Sequence, residues 1–140
     1  MGVPALPLTL VLADDHAAYR ALLGDLLRRH GLEVVGEAPD AAALQAWLAP
    51  PRVPPDLVLM DVQMPGGGPP FLQALLQAHP GLRVLVLSMH DEPAIVDAML
   101  AAGAAGYLLK DDPVAELADA IRAVAAGQRR LSRALPSSQQ

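Results

Sequence analysis

Short, largely apolar runs recur along this chain, and most of them end abruptly on a polar residue. Residues 8–13 run into Asp14-Asp15, residues 57–60 into Asp61, residues 83–88 end on Ser88, and residues 106–110 end on Lys110. A shorter and more polar run covers residues 32–37. Apolar runs of this length, bounded by turn residues, read as strands, and runs without alternation suit parallel strands covered on both faces. Between them the periodicity changes to three and four. Leu22, Leu23, Leu26 and Leu27 form one apolar stripe, with Gly31 as the closing residue. Asp40 is placed to cap a helix carrying Ala43, Leu44, Trp47 and Leu48, which Pro50, Pro51, Pro54 and Pro55 then end. A third helix over about residues 70–78 carries Phe71, Leu72, Leu75 and Leu76. Asp91 is expected to cap a fourth, with Pro93 in its first turn, Ile95, Met99 and Leu100 facing inward, and Gly103 at its end. Asp112 is expected to cap a fifth, with Pro113 at the first position and Val114, Leu117, Ile121 and Val124 on one face.

Five strands alternating with five helices over short connections predict an α/β fold, a parallel sheet with helices on both faces. The chain has 140 residues, enough for one such domain. The polar ending, residues 132–140, reads as a tail or the start of a linker, leaving residues 1–131 as the domain.

Composition narrows the options. Hydrophobic residues make up 53% of the chain, so it folds, but aromatics are only 3% and the core rests on Ala, Leu and Val. The net charge of −5 argues against direct nucleic-acid binding by this chain. There is no cysteine, no apolar run long enough for a membrane span and no basic, apolar leader pattern, which fits a cytoplasmic protein.

The strand ends carry the chemistry. In a parallel sheet all carboxyl ends lie along one edge, where open α/β sheets place their ligand crevices. Asp14, Asp15, Asp61, Ser88 and Lys110 therefore converge. The chain has nine arginines and one lysine, and that lysine is Lys110, so a compact ammonium is selected at this point. Clustered carboxylates stay ionised only if a cation offsets them. A hard divalent ion with oxygen ligands, Mg²⁺, suits the set. A carboxylate flanked by a cation, an ammonium and a hydroxyl is a phosphoryl-transfer layout, with Asp61 as the nucleophile and Asp14 and Asp15 as metal ligands. Singly each residue has a plainer reading: a turn aspartate, a helix cap, a core tyrosine, a solvated lysine. Their joint arrival at one sheet edge is what favours chemistry.

Asp14-Asp15, Asp61 followed by Met64-Pro65, Ser88, Tyr107 and Lys110, in this order, resemble the receiver domain of bacterial two-component response regulators. Residues 106–111 and 87–91 look most like the NarL/FixJ (LuxR-type) subfamily. The resemblance implies a flavodoxin-like (βα)5 sandwich with sheet order 2-1-3-4-5. It implies that Asp61 accepts a phosphoryl group from the phosphohistidine of a sensor histidine kinase. Mg²⁺ would be bound by Asp15, Asp61 and the backbone carbonyl of Gln63, with Asp14 acting through water. Ser88 and Tyr107 would form the switch pair, with Tyr107 turning inward when phosphate draws Ser88 toward Asp61. The output would be transcription through a helix-turn-helix domain outside this chain. Homodimers through the first and fifth or the fourth and fifth helices are the expected assemblies. Three positions depart from the family pattern. Asp111 stands where proline with a cis bond is common, and a cis bond without proline costs about 2.5–4 kcal/mol. Gly68-Pro69 replaces a polar residue and glycine, and Met89 replaces a smaller residue.

Two rival readings stand beside this one. A haloacid-dehalogenase-type phosphatase also uses a strand-end aspartate, but it needs a second aspartate two positions on, and that position is Gln63. A stand-alone or phosphorylation-independent interaction module on the same fold is the other.

Overall fold

The computed structural model describes residues 7–136. Strands β1 (Thr9–Ala13), β2 (Glu33–Ala38), β3 (Leu57–Met60), β4 (Val84–Ser88) and β5 (Gly106–Leu109) alternate with helices α1 (Ala17–Arg29), α2 (Ala41–Leu48), α3 (Pro69–Ala78), α4 (Pro93–Ala101) and α5 (Val114–Ala125). Every strand pairing is parallel. The expected order 2-1-3-4-5 holds for the first five strands. The sheet then gains a sixth, β6 (Arg130–Leu131), beyond β5.

Period-two alternation splits the core into two layers. Val11, Val58, Met60, Val84, Val86 and Tyr107 face α2, α3 and α4, packing on Leu44, Leu72, Leu75, Val96 and Met99. Leu10, Leu12, Leu57, Leu59, Leu85, Leu87 and Leu108 face α1 and α5, packing on Leu23, Leu27, Leu117, Ile121 and Val124. Strands β3, β4 and β5 are buried along their whole length, as continuous apolar runs require. Strand β2 alternates between exposed and covered residues, the pattern of an edge.

The helix stripes are one residue narrower than the sequence suggests. Leu23 and Leu27 are buried and Leu26 is half-covered, but Leu22 is 58% exposed, since the helix turns it away from the sheet. Val96, not Ile95, is the fully buried residue in the first half of α4. Asp40 caps α2 as expected, accepting from the Ala43 amide at 2.7 Å. The caps expected from Asp91 and Asp112 do not form. Glu92 holds the cap position of α4 and Pro113 that of α5, neither with a side-chain bond. In α5 Pro113 itself takes the cap position, and in α4 Pro93 opens the helix behind Glu92, so each aspartate stands one residue before the cap. Asp112 instead accepts from the Leu109 amide at 3.1 Å and from the Ser132 hydroxyl at 2.8 Å.

That second contact anchors β6. Leu131 pairs with Tyr107, and the Ser132 amide donates to the Tyr107 carbonyl at 2.9 Å. Gly106 makes the approach feasible: a Cβ there would lie 2.1 Å from the Arg130 carbonyl oxygen. Ser132 and Leu135 are buried, so the polar ending packs against the domain through Leu135. Residues 137–140 lie outside the described residues. Among the described residues the one cis peptide is Pro50–Pro51, so the Lys110–Asp111 bond is trans.

Candidate functional site

Asp14, Asp61 and Lys110 each stand one step past a strand, Ser88 is the last residue of β4 and Tyr107 lies within β5, so the sheet ladder holds their backbones. The Asp14 amide donates to the Ala38 carbonyl, the Asp61 amide to Ala13 and the Lys110 amide to Ser88, all at 2.9 Å. Main-chain pairing thus fixes three functional side chains relative to one another before any of them touches another.

The Lys110 ammonium lies 2.7 Å from Asp14 Oδ2 and 2.9 Å from Asp61 Oδ2. The three side chains are nine-tenths or more covered, so the charges meet away from bulk water. Burial pushes the Lys110 pKa down, but the hydrogen bonds and charges of Asp14 and Asp61 outweigh it and raise the value above 10.5. The remaining carboxylate oxygens are also placed. Asp61 Oδ1 accepts from the Gln63 amide at 3.1 Å, and Asp14 Oδ1 accepts from the His16 amide at 2.8 Å.

Asp15 completes the acidic group and is exposed. One oxygen from each of Asp14, Asp15 and Asp61 can be chosen so that all lie within 4.8 Å of one another. An all-oxygen donor set with one solvent-facing member fits a hard cation that retains water. The Gln63 side chain is exposed and its amide is turned to Asp61, so its bearing on the site is through the main chain.

Ser88 and Tyr107 lie on the other side of Asp61, both fully buried. The Ser88 hydroxyl accepts from the His90 amide at 3.1 Å, and the Tyr107 hydroxyl donates to the His90 carbonyl at 2.7 Å. One residue, His90, therefore ties both side chains. Burial pushes the Tyr107 pKa up, while the neighbouring Ser88 hydroxyl pulls the other way. Tyr107 is turned inward, the position expected of it when Ser88 is drawn toward Asp61. Met89 stands 60% exposed at the rim.

The glycine- and proline-rich loop behind Asp61 is folded back on itself. The Gly67 amide donates to Met64, Gly66 takes φ +78°, and the Pro65 carbonyl accepts from the Ala41 amide. Met64 is thereby buried beneath the loop.

Two residues that contact this centre carry no sequence expectation. The Tyr19 ring lies under the Lys110 ammonium, with the nitrogen 4.6 Å from its centroid. Burial and the nearby carboxylates, Asp14 first, push its pKa well above that of a free phenol. Arg20 donates to the Asp14 carbonyl and pairs with Glu37 at 2.8 Å. A signal for Tyr19 does exist. It lies four residues before Leu23 and eight before Leu27, on the face of α1 that meets the sheet.

A parallel sheet of this order, with clustered carboxylates and one ammonium along its carboxyl edge, defines the class of α/β phosphoacceptor domains. The chain belongs to the response regulator receiver domain family, which matches it over residues 10–122. It is 39% identical over 127 residues to the response regulator GacA of Pseudomonas viridiflava, covering 87% of this chain and 57% of GacA. It is 42% identical over 120 residues to the DNA-binding transcriptional activator DevR/DosR of Mycobacterium tuberculosis, covering 84% and 54%. The receiver domain of the putative response regulator NarL from Mycobacterium tuberculosis superposes with a TM-score of 0.77 at 37% identity, covering 89% of this chain and all of that one. The isolated receiver of RcsB from Salmonella enterica, solved with a phosphomimetic, gives 0.80 at 27% identity over 96% of each chain. The NarL/FixJ character expected from the sequence agrees with these relatives. The chain spans a little over half the length of the curated relatives it matches.

Proposed function

We propose that Asp61 accepts a phosphoryl group from the phosphohistidine of a sensor histidine kinase, and that the acyl phosphate biases the domain between two packings. The observation that carries this reading is the Lys110 ammonium bridging Asp14 and Asp61. An Asp61 oxygen attacks phosphorus, the phosphorus–nitrogen bond breaks, and its electron pair returns to the donor imidazole. Lys110 then follows the charge onto a phosphoryl oxygen, and the Ser88 hydroxyl, whose oxygen accepts from the His90 amide, would turn its proton to another. Asp15, Asp61 and the Gln63 carbonyl would hold Mg²⁺, with Asp14 through water. When bound, the ion supplies neutralisation of the carboxylates and of the phosphoryl oxygens.

Because Ser88 and Tyr107 share His90, a turn of the Ser88 side chain is felt by Tyr107 and by the α4–β5 surface. That surface, or the α1–α5 face, would serve homodimerisation. The output would be transcription through a further domain in a cytoplasmic regulator; the similar DevR/DosR is named a DNA-binding transcriptional activator. The second reading, a phosphorylation-independent interaction module, draws on Tyr107 being fully buried with its hydroxyl bonded to the His90 carbonyl.

Incubation with acetyl phosphate and Mg²⁺ tests the first reading. Stoichiometric, hydroxylamine-sensitive labelling is expected, and Asp61→Asn should abolish it. Equal labelling of that variant would mean the nucleophile is another residue. Beryllofluoride with Mg²⁺ separates the two readings, because amide shifts at Ser88, His90 and Tyr107 are expected only for a switch.

A further inference from the structure

An ammonium group has three N–H bonds. In Lys110 two of them are taken up by Asp14 and Asp61, at 2.7 and 2.9 Å. The ring face of Tyr19, 4.6 Å away, occupies a further side. The ring itself is held in place. It sits on the buried face of α1 and lies alongside the His16 imidazole, with centroids 6.5 Å apart and planes 21° apart. The His16 backbone is in turn held by its N–H, which donates to Asp14 Oδ1. A plainer role, filling space between α1 and the sheet, would suit any large apolar side chain.

We propose that Tyr19 is a positioning residue for phosphoryl transfer, a neutral platform that keeps the Lys110 ammonium directed at Asp61. This rests on the phosphoacceptor reading of Asp61 given above. The two carboxylate contacts of Lys110 are the ones that must change during the reaction. On becoming an acyl phosphate, Asp61 moves its charge from the carboxylate onto the phosphoryl oxygens, and Asp14 belongs to the acidic group suited to a cation. The ring face belongs to neither process, so it is the contact that persists. Without it, a flexible four-carbon stem is left to hold a point charge on partners that are exchanging theirs. The raised pKa keeps the phenol protonated, so the platform acts through its π face and not through a phenolate charge. The hydroxyl is therefore dispensable, and a phenylalanine should serve.

Because Lys110 is the chain's only lysine, lysine-selective ¹³C labelling gives one side-chain signal and needs no assignment. In the whole chain the Lys110 ε-protons should resonate upfield of a free lysine, shifted by the Tyr19 ring current. The shift should persist on adding Mg²⁺ and beryllofluoride, persist in Tyr19→Phe, and vanish in Tyr19→Leu. Labelling by acetyl phosphate should slow about 3- to 10-fold in Tyr19→Leu, the range a partly desolvated cation–π contact supports, and recover in Tyr19→Phe. Unshifted ε-protons in the wild type would overturn the inference, and that test needs no variant to fold. An unchanged labelling rate in a folded Tyr19→Leu would overturn it as well, while leaving Asp61 as acceptor. No labelling of the wild type would remove the phosphoacceptor reading and this inference with it.

Discussion

Replacing Lys110 by methionine keeps the apolar stem and removes only the charge, so it measures what the ammonium does for the fold. At an effective dielectric constant near 20, a contact at 2.7 or 2.9 Å is worth about 6 kcal/mol before desolvation. Asp14 and Asp61 repel each other, and desolvation of all three groups offsets most of the remainder. Breaking a buried pair by removing one partner costs about 3–5 kcal/mol, because the partner charges stay buried and uncompensated. Here two carboxylates are left, each less than one-tenth exposed, so the loss should fall within that range. Urea unfolding at pH 7.5 in EDTA is the assay. Repeating it with Mg²⁺ is the control that carries the argument. A cation binding the native acidic group adds RT ln(1 + [L]/Kd), about 2.7 kcal/mol at a hundredfold excess over Kd. It should help the variant more than the wild type, whose ammonium competes for the same oxygens. The deficit should therefore shrink by about half or more in Mg²⁺. A deficit below about 0.5 kcal/mol, or one indifferent to Mg²⁺, would refute the electrostatic account of this site.

Three further outcomes follow from particular contacts. Gly106→Ala should displace β6, since its Cβ would meet the Arg130 carbonyl at 2.1 Å, and loss of amide protection at Ser132 by hydrogen exchange would report it. Asp40→Ala should cost about 1 kcal/mol in urea unfolding by removing the bond to the Ala43 amide. The folded Lys110 pKa lies above its unfolded value, so its contribution is complete below that unfolded value, about 10.4, and is lost as pH rises through the folded one. The stability gap between wild type and Lys110→Met should thus be flat from pH 7 to 10 and close only in stronger alkali.

The convergence of the site's side chains was legible because they lie where patterns break. Asp14, Asp61, Ser88 and Lys110 each interrupt an apolar run, and a parallel sheet leaves such interruptions one place to meet. What escaped does not interrupt anything. Tyr19 sits inside a helix stripe, at the end that reaches the sheet edge, and looks like one more core residue. Strand β6 is two residues long, Arg130 and Leu131, too short to show alternation. Its only advance notice is Gly106, a residue without a side chain at the start of a strand. Asp91 and Asp112 misled because the nearby prolines shift the helix starts and leave both carboxylates off the cap. The bond that holds Tyr107 inward runs to the His90 carbonyl, a main-chain partner that no sequence pattern announces.

Strand β6 has one more consequence, and it concerns how these molecules behave in a crowd. Every open sheet has two edges at which a stranger's backbone can pair. Without β6 the outer edge would be β5, buried and wholly apolar in sequence, a ready template for self-association. With it, the outermost strand is two residues long, with Arg129, Arg130 and Arg133 in and beside it. The opposite edge, β2, carries Glu33 and Glu37 on two of its three exposed positions, on either side of Val35. Both borders of the sheet are thus guarded by charge, basic on one side and acidic on the other. Ending the chain before Arg129 would strip the basic guard, and the shortened protein should precipitate at concentrations the longer one tolerates.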